Sequence, residues 1–322
     1  MPCFDPIDVS ERLLDQRIMS AEPVTGGRNA DVWKVRCPTG VFALKRYPQA
    51  DGTSRRRTEC TALEFLASQG VQNVPRVYAV GTDPDVVLLT WLDGTPADPI
   101  ERSHIADCVG FVRELQRLSR SHAARALPLA KEACLSGIEI VRQIEDRMRQ
   151  FEQTEWPDER VVTFLANEIR PCLAVAREPA KAWHEDLPIQ YRTLSPSDFG
   201  CHNAVRRSDG SLGFFDFEYF GWDDPVKLVA DFVLHPGMSL SEELSRDFIH
   251  LVRTLFADDH AFMDRLRAHL PLYRVRWSLI VLNPLIASAT AKKPSRSERD
   301  KIVQECLVKS RRLLNGMAVS LC

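Results

Sequence analysis

Residues 194–220 read LSPSDFGCHNAVRRSDGSLGFFDFEYF. Asp198 and Asn203 stand five positions apart, and Asp216 follows thirteen positions after Asn203. Between them, Ser208-Asp209-Gly210-Ser211 is a turn signal with strand-like runs on both sides. A hairpin there brings two carboxylates and one amide together, a set of hard oxygen donors that suits a magnesium ion. Each piece alone is ordinary, since an Asp near a turn most often serves the turn itself. The weight of the hairpin depends on what the rest of the chain supplies.

Upstream, residues 24–47, VTGGRNADVWKVRCPTGVFALKRY, hold two alternating runs. These are Val32 with Val35 and Val41 with Ala43, split by the turn Pro38-Thr39-Gly40. Residues 55–69, RRRTECTALEFLASQ, place Cys60, Leu63, Phe65 and Leu66 near helical spacing, and Gly70 closes that helix. Two more strands are expected over Arg76–Val80 and Val86–Trp91, ended by Asp93-Gly94. Residues 1–92 therefore read as strand-rich with one helix. Beyond them the chain reads as mostly helical, with breaks at Pro128, Pro157, Pro171, Pro188, Pro236, Pro271 and Pro284. The most apolar stretch, Trp277–Ala291, is interrupted by Asn283-Pro284 and is too short to span a bilayer, so it reads as a buried helix. A capping box, Ser295 to Glu298, opens the last helix, which runs through Leu314.

The chain has 322 residues, 44% hydrophobic and 27% charged, enough for a packed core with a solvated surface. Forty-two Lys and Arg against 44 Asp and Glu leave a net charge of -2, which argues against a main role in coating nucleic acid or anionic membrane. Nine scattered cysteines contain no C-x-x-C pair and read as free thiols of a reducing cytoplasm. The first residues, MPCFDPIDVSERLL, lack a basic segment followed by an apolar run, so no secretory signal is expected. Neither a G-x-x-x-x-G-K-[ST] loop, nor G-x-S-x-G, nor H-E-x-x-H occurs.

A small antiparallel-sheet lobe with one helix (1–92) and a larger, mainly helical lobe (93–322) containing one hairpin form an α+β layout. It is the layout of the protein-kinase-like fold. Phosphoryl transfer requires few parts, because positioning and charge neutralisation supply nearly all of the catalysis. Gly26 and Gly27 let backbone approach an anion without a Cβ in the way. Lys45 ends the second strand in ALKRY, and Glu59, fourteen residues on, lies in the expected helix where it can pair with it. All parts appear in the required order.

These segments resemble the aminoglycoside phosphotransferase/choline kinase family, over roughly residues 20 to 235. GGRNADVWKV resembles the nucleotide loop, ALKRY the lysine strand, VVLLTWLDG the hinge, SPSDFGCHN the catalytic loop, and FFDFEYFGWDDPVKLVADF the metal-Asp segment. The resemblance implies an ATP-dependent phosphotransferase that uses Mg²⁺ and acts on a hydroxyl of a small acceptor. In that reading Gly26, Gly27 and Asn29 cover the phosphates, Lys45 held by Glu59 binds them, and Thr90, Trp91 and Leu92 hold adenine. Asn203 and Asp216 hold the metal, Asp198 orients the acceptor, and Glu218 assists metal or acceptor. The family carries a His shortly before the catalytic Asp; here Ser195 takes its place and is expected to support the loop. That replacement also motivates the alternative of a nucleotide-binding pseudokinase. His202 reads as a packing or solvent residue. Asp93, Asp98, Glu218, Asp223 and Asp224 are expected near the cleft mouth, where they would suit a cationic acceptor. Tyr219, Phe220 and Trp222 are open to two readings, an aromatic cage or core packing.

Overall fold

The computed structural model describes residues 4–24, 30–48, 51–153, 158–287 and 295–315. In chain order the elements are α1 (Pro6–Leu14), β1 (Ser20–Pro23), β2 (Asp31–Cys37), β3 (Gly40–Arg46), α2 (Gly52–Ser68), β4 (Val77–Thr82), β5 (Asp85–Thr90), β6 (Thr95–Pro96) and α3 (Arg102–Ser119). Then follow α4 (Gly137–Glu152), α5 (Glu159–Phe164), α6 (Arg170–Ala180), β7 (Thr193–Ser195), β8 (Ala204–Arg206), β9 (Leu212–Phe214) and β10 (Gly221–Asp223). The chain ends in α7 (Pro225–Leu234), α8 (Glu242–Val252), α9 (Phe262–Ile280), α10 (Asn283–Ala287) and α11 (Arg296–Asn315). Packing gathers them into two compact units, one of residues 1–131 with 194–222, the other of 132–193 with 223–322. The hairpin stretch thus packs with the amino-terminal strands, and the units do not divide at residue 92.

In the first unit a five-stranded antiparallel sheet has the order β1-β2-β3-β5-β4. Successive side chains of a strand point to opposite faces. On β3, Phe42 and Leu44 join Val9, Ile18, Val35 and Leu88 in an apolar cluster on one face. Lys45, paired in register with Val32 and Val87, is therefore turned to the other face, that of α2. Helix α2 starts at Gly52 rather than 55 and ends where expected, with Gly70 at φ 83°, a left-handed conformation that glycine adopts without strain.

The described part of residues 1–92 contains two helices rather than one. Helix α1 was hidden by its shortness, since nine residues are marginal in isolation. It is made by its cap and its packing: Asp5 accepts a 2.8 Å bond from the Ile7 N–H, Pro6 starts the helix, and Val9 joins the sheet cluster.

The hairpin forms as read, with Ala204 opposite Phe214 and Arg206 opposite Leu212, and β6 adds to its β8 edge. At the turn the Ser211 N–H donates 3.0 Å to Asp209, and Gly210 has φ 83°. β10 pairs with β7. A Cβ on Gly221 would lie 2.4–2.5 Å from backbone atoms of residues 128–130, so only glycine lets that segment approach. The Trp222 N–H to Pro128 and Ala130 N–H to Trp222 bonds, both 2.9 Å, fasten it there.

In the second unit α9 packs against α4, α6, α7 and α11. Pro271, expected as a break, lies inside α9, where burial of the helix outweighs the lost backbone donor. Pro171 stands in the first turn of α6, where proline is tolerated, and a second proline, Pro179, sits within that helix. The apolar stretch from Trp277 is divided between α9 and α10. Ser295 and Glu298 cap α11 reciprocally, the Ser295 N–H donating 2.8 Å to Glu298 and the Glu298 N–H 3.3 Å to Ser295. No helix among the described residues is long and apolar enough to cross a membrane. The seven described cysteines are free thiols, Cys108 and Cys201 lying with their sulfurs 3.8 Å apart.

Candidate active site

The candidate site lies within the first unit. Lys45 Nζ donates to Glu59 Oε2 and to Asp216 Oδ1, each at 2.7 Å, and lies 3.3 Å from Glu218 Oε2. Glu59 is fixed from three directions: by Lys45, by the Tyr47 hydroxyl, and by the Phe217 N–H, which donates 3.2 Å to Oε1. One strand, one helix and one loop thus converge on a single ammonium. Burial works against the charge on Lys45, but Glu59, then Asp216 and Glu218, outweigh it and hold its pKa above the ordinary value. Burial likewise pushes Tyr47 up, with Glu59 adding to it, so this phenol stays neutral and donates.

Asp216 has φ 68°, a left-handed conformation that costs a non-glycine residue about 1–3 kcal/mol. Surrounding structure must impose it, and the Phe217 bond to Glu59 and the Lys45 bond to Asp216 are the visible constraints. Arg55 reaches the next acid, Glu218, at 3.2 Å and also pairs with Asp51 at 2.8 Å. Lys131 meets the same Asp51 at 2.8 Å. Around Lys45, three cations (Lys45, Arg55, Lys131) therefore face four carboxylates (Asp51, Glu59, Asp216, Glu218). Burial lifts the Glu218 carboxyl above the ordinary range; Lys45 opposes this, and Asp216 and Glu59 add to it.

The donor set fits a hard divalent cation. Oxygens of Glu59, Asp216 and Glu218 lie within 4.8 Å of one another around Lys45, a set of hard donors, and the buried Oε2 of Glu218 is met there only by the Lys45 charge at 3.3 Å. Asn203 donates from Nδ2 to the Asp198 carbonyl at 2.9 Å, which leaves its amide oxygen as the candidate ligand atom. The Asn203 carbonyl accepts from the Phe215 N–H at 3.0 Å, tying the loop to the residue before Asp216.

Asp198 is partly exposed, and its Oδ1 lies 2.9 Å from His202 Nε2. His202, expected to be a packing or solvent residue rather than a second base, turns its ring to the Asp198 carboxylate. Ser195 is fully buried, and its Oγ accepts from the Ser197 N–H at 3.0 Å. Ser197 has φ 69°, and its hydroxyl donates 3.2 Å to the Lys131 carbonyl. Ser195 therefore supports a left-handed turn immediately before Asp198.

Of the hinge residues, Thr90 and Trp91 already commit their N–H groups to the carbonyls of Arg76 (2.9 Å) and Val41 (3.3 Å). Gly26, Gly27 and Asn29 lie outside the described residues. Two acids expected at the cleft mouth are corrected. Asp223 and Asp224 are completely buried and belong to the second unit. There Asp223 lies 3.1 Å from Lys227, while Asp224 caps α7 and accepts 2.9 Å from Arg265. Asp93 and Asp98 are exposed. Phe220 and Trp222 are buried, the Trp222 Nε1 donating 3.0 Å to the Ala124 carbonyl, so they pack rather than form a cage. Tyr219 stands between Arg55 and Lys131, whose charges lie 5.2 and 5.0 Å from its ring centre.

A strand lysine braced by a helix glutamate beside an acid-bearing loop marks the class as small-molecule phosphotransferases of the protein-kinase-like fold. Residues 20–269 match the profile of the phosphotransferase enzyme family, and the chain belongs to that family. Its fold is similar to that of a spectinomycin phosphotransferase solved with ADP and spectinomycin (TM-score 0.64, 11% identity, covering 97% of this chain and 99% of that one). The choline kinase of Streptococcus pneumoniae is also similar (TM-score 0.60, 12% identity, 93% and 94% covered). So is the macrolide 2'-phosphotransferase of Brachybacterium faecium (TM-score 0.62, 12% identity, 97% and 98% covered). No curated protein sequence matches the chain.

Proposed function

We propose that this enzyme transfers the γ-phosphoryl group of ATP to a hydroxyl of a small metabolite, an amino alcohol, a sugar or an aminoglycoside-like compound. The observation that carries the reading is Lys45, bonded at 2.7 Å to both Glu59 and Asp216. A buried, permanently charged ammonium of fixed direction is what phosphate oxygens need, and Glu59 holds it without competing for solvent. The same reading assigns Gly26, Gly27 and Asn29 to the phosphates and the hinge through Leu92 to adenine, and ADP in a spectinomycin phosphotransferase of the same fold supports nucleotide use.

Asp216 and Asn203, with Glu218 beside them, would hold a magnesium ion, which supplies charge neutralisation on the phosphates when bound. Asp198 would accept the hydrogen bond of the acceptor hydroxyl and hold it in line for attack. Ser195 acts one step back, through the backbone of the turn it supports. Its buried bond to the Ser197 N–H supports the active reading, and the alternative, a nucleotide-binding pseudokinase, would bind MgATP without forming ADP.

The test is ADP formation with MgATP across a panel of choline, ethanolamine, sugars, aminoglycosides and macrolides, beside thermal denaturation with and without MgATP. A bound nucleotide raises the melting temperature by mass action. The expected result is a MgATP-dependent rise and acceptor-dependent ADP release. If the melting curve stays unmoved by MgATP and MgGTP alike, the nucleotide site is not where we place it.

A further inference from the structure

We propose that His202 is the positioning residue for Asp198: it donates its Nε2–H to Oδ1 and presents Oδ2 to the acceptor. The proposal rests on the reading of Asp198 as the acceptor-orienting carboxylate. His202 Nε2 lies 2.9 Å from Asp198 Oδ1, across the turn Cys201–Asn203. An ionised carboxylate has no proton to donate, so the ring nitrogen facing it must carry the hydrogen. That nitrogen is therefore engaged and is not a base for the acceptor.

Two contacts act on different parts of Asp198. Asn203 Nδ2 holds the Asp198 backbone carbonyl at 2.9 Å, which acts on the main chain, whereas His202 meets the carboxylate itself. The terminal torsion of an Asp side chain is by itself broad and nearly unrestrained. The imidazole is the more enclosed partner, its side chain 15% exposed against 31% for Asp198. Main chain and side chain of Asp198 are thus held by neighbouring residues, Asn203 and His202, within a single turn. Fixing the carboxylate before the acceptor arrives lowers the cost of reaching the reactive geometry on every turnover.

The experiment combines kinetics with imidazole ¹⁵N NMR. His202→Ala should lower kcat about tenfold or more, within the range lost when a supporting partner is removed, while calorimetric ATP affinity stays unchanged. His202→Gln keeps an N–H donor of similar reach and should recover turnover to within about threefold of wild type. In an Asp198→Asn background, His202→Ala should cost nothing further, because residues acting through one another are non-additive. The His202 ring should show the Nε2–H tautomer, and its signal should move in Asp198→Ala. An Nδ1–H tautomer, an unmoved signal, or additive kinetic losses would each overturn the proposal. Failure of the phosphotransferase reading is distinguishable: it shows as wild-type protein that forms no ADP with any acceptor, while the NMR arm still decides whether His202 holds Asp198.

Discussion

Among the described residues, each compact unit buries one lysine against carboxylates, Lys45 in the first and Lys227 in the second. Lys227 lies 3.1 Å from Asp223 and 2.8 Å from Asp231, both i,i+4 or its reverse along the start of α7. Arg276 completes that cluster, 3.6 Å from Asp231 and 2.6 Å from Glu132, which Arg147 also meets at 2.7 Å. Three cations (Lys227, Arg276, Arg147) meet three carboxylates (Asp223, Asp231, Glu132), and the innermost acids are closed to solvent. Around Lys45 the count is three against four, and Asp216 keeps 26% of its side chain exposed. The two lysines share their chemistry. They differ in charge balance: the Lys227 cluster is neutral and braces the start of a helix, whereas the Lys45 cluster carries one negative charge in excess, which favours a further cation.

The largest test of that contrast is Lys45→Met. Turnover should fall by about 10³, or about 4 kcal/mol of transition-state stabilisation, as for loss of a preorganised electrostatic group. Turnover within tenfold of wild type would place Lys45 in the structural class of Lys227. The counterpart, Lys227→Met, leaves Asp223 and Asp231 buried without their cation and should cost about 3–5 kcal/mol of stability in chemical denaturation. ATP affinity of the protein that remains folded should not change, and a loss of affinity without a loss of stability would break the assignment.

A third test separates two acids of the first unit. Asp198→Asn should lower transfer by about 10², roughly 2.7 kcal/mol, with ATP binding retained. Asp216→Asn should weaken ATP binding in magnesium buffer along with turnover. Calorimetric titration of both variants decides, and the reverse pattern would exchange their roles.

A smaller effect belongs to the second unit. His269 on α9 is fully buried, neither ring nitrogen has a hydrogen-bond partner, and burial, then Arg265, lowers its pKa to about 3. In the unfolded chain the ring titrates near 6.5. As pH falls through that value the unfolded state gains a proton that the folded state refuses. Stability is therefore lost on acidification, at up to about 1.4 kcal/mol per pH unit, and about 1.6 kcal/mol between pH 6.5 and 5. Denaturant titrations at several pH values should show His269→Phe free of that component; an unchanged slope would show that another group produces it. Smallest of all, Ser195→Ala removes one buried hydrogen bond and should cost about 1 kcal/mol, with turnover lowered modestly. Abolished turnover with stability and ATP affinity intact would give Ser195 a chemical role.

What the sequence by itself determined was the part written in local patterns. The strand-like runs on either side of the Pro38-Thr39-Gly40 turn, the helical spacing after Arg55, the turn at Ser208–Ser211 and the cap at Ser295 each signal within a few residues, and each appears in the fold. The order of Lys45, Glu59, Asp198, Asn203 and Asp216 was legible for the same reason. Tertiary structure decided what depends on contacts between distant segments. It placed Glu59 and Asp216, 157 positions apart, on the same ammonium. It turned Asp223 and Asp224 inward to Lys227 and Arg265, although in the sequence they read like exposed loop acids. It made α1 a helix through packing on the sheet, let α9 run through Pro271, and aimed the His202 ring at Asp198. A charged residue looks the same in a sequence whether water or another residue neutralises it; burial and the partner across space decide which, and both exist only once the chain has folded.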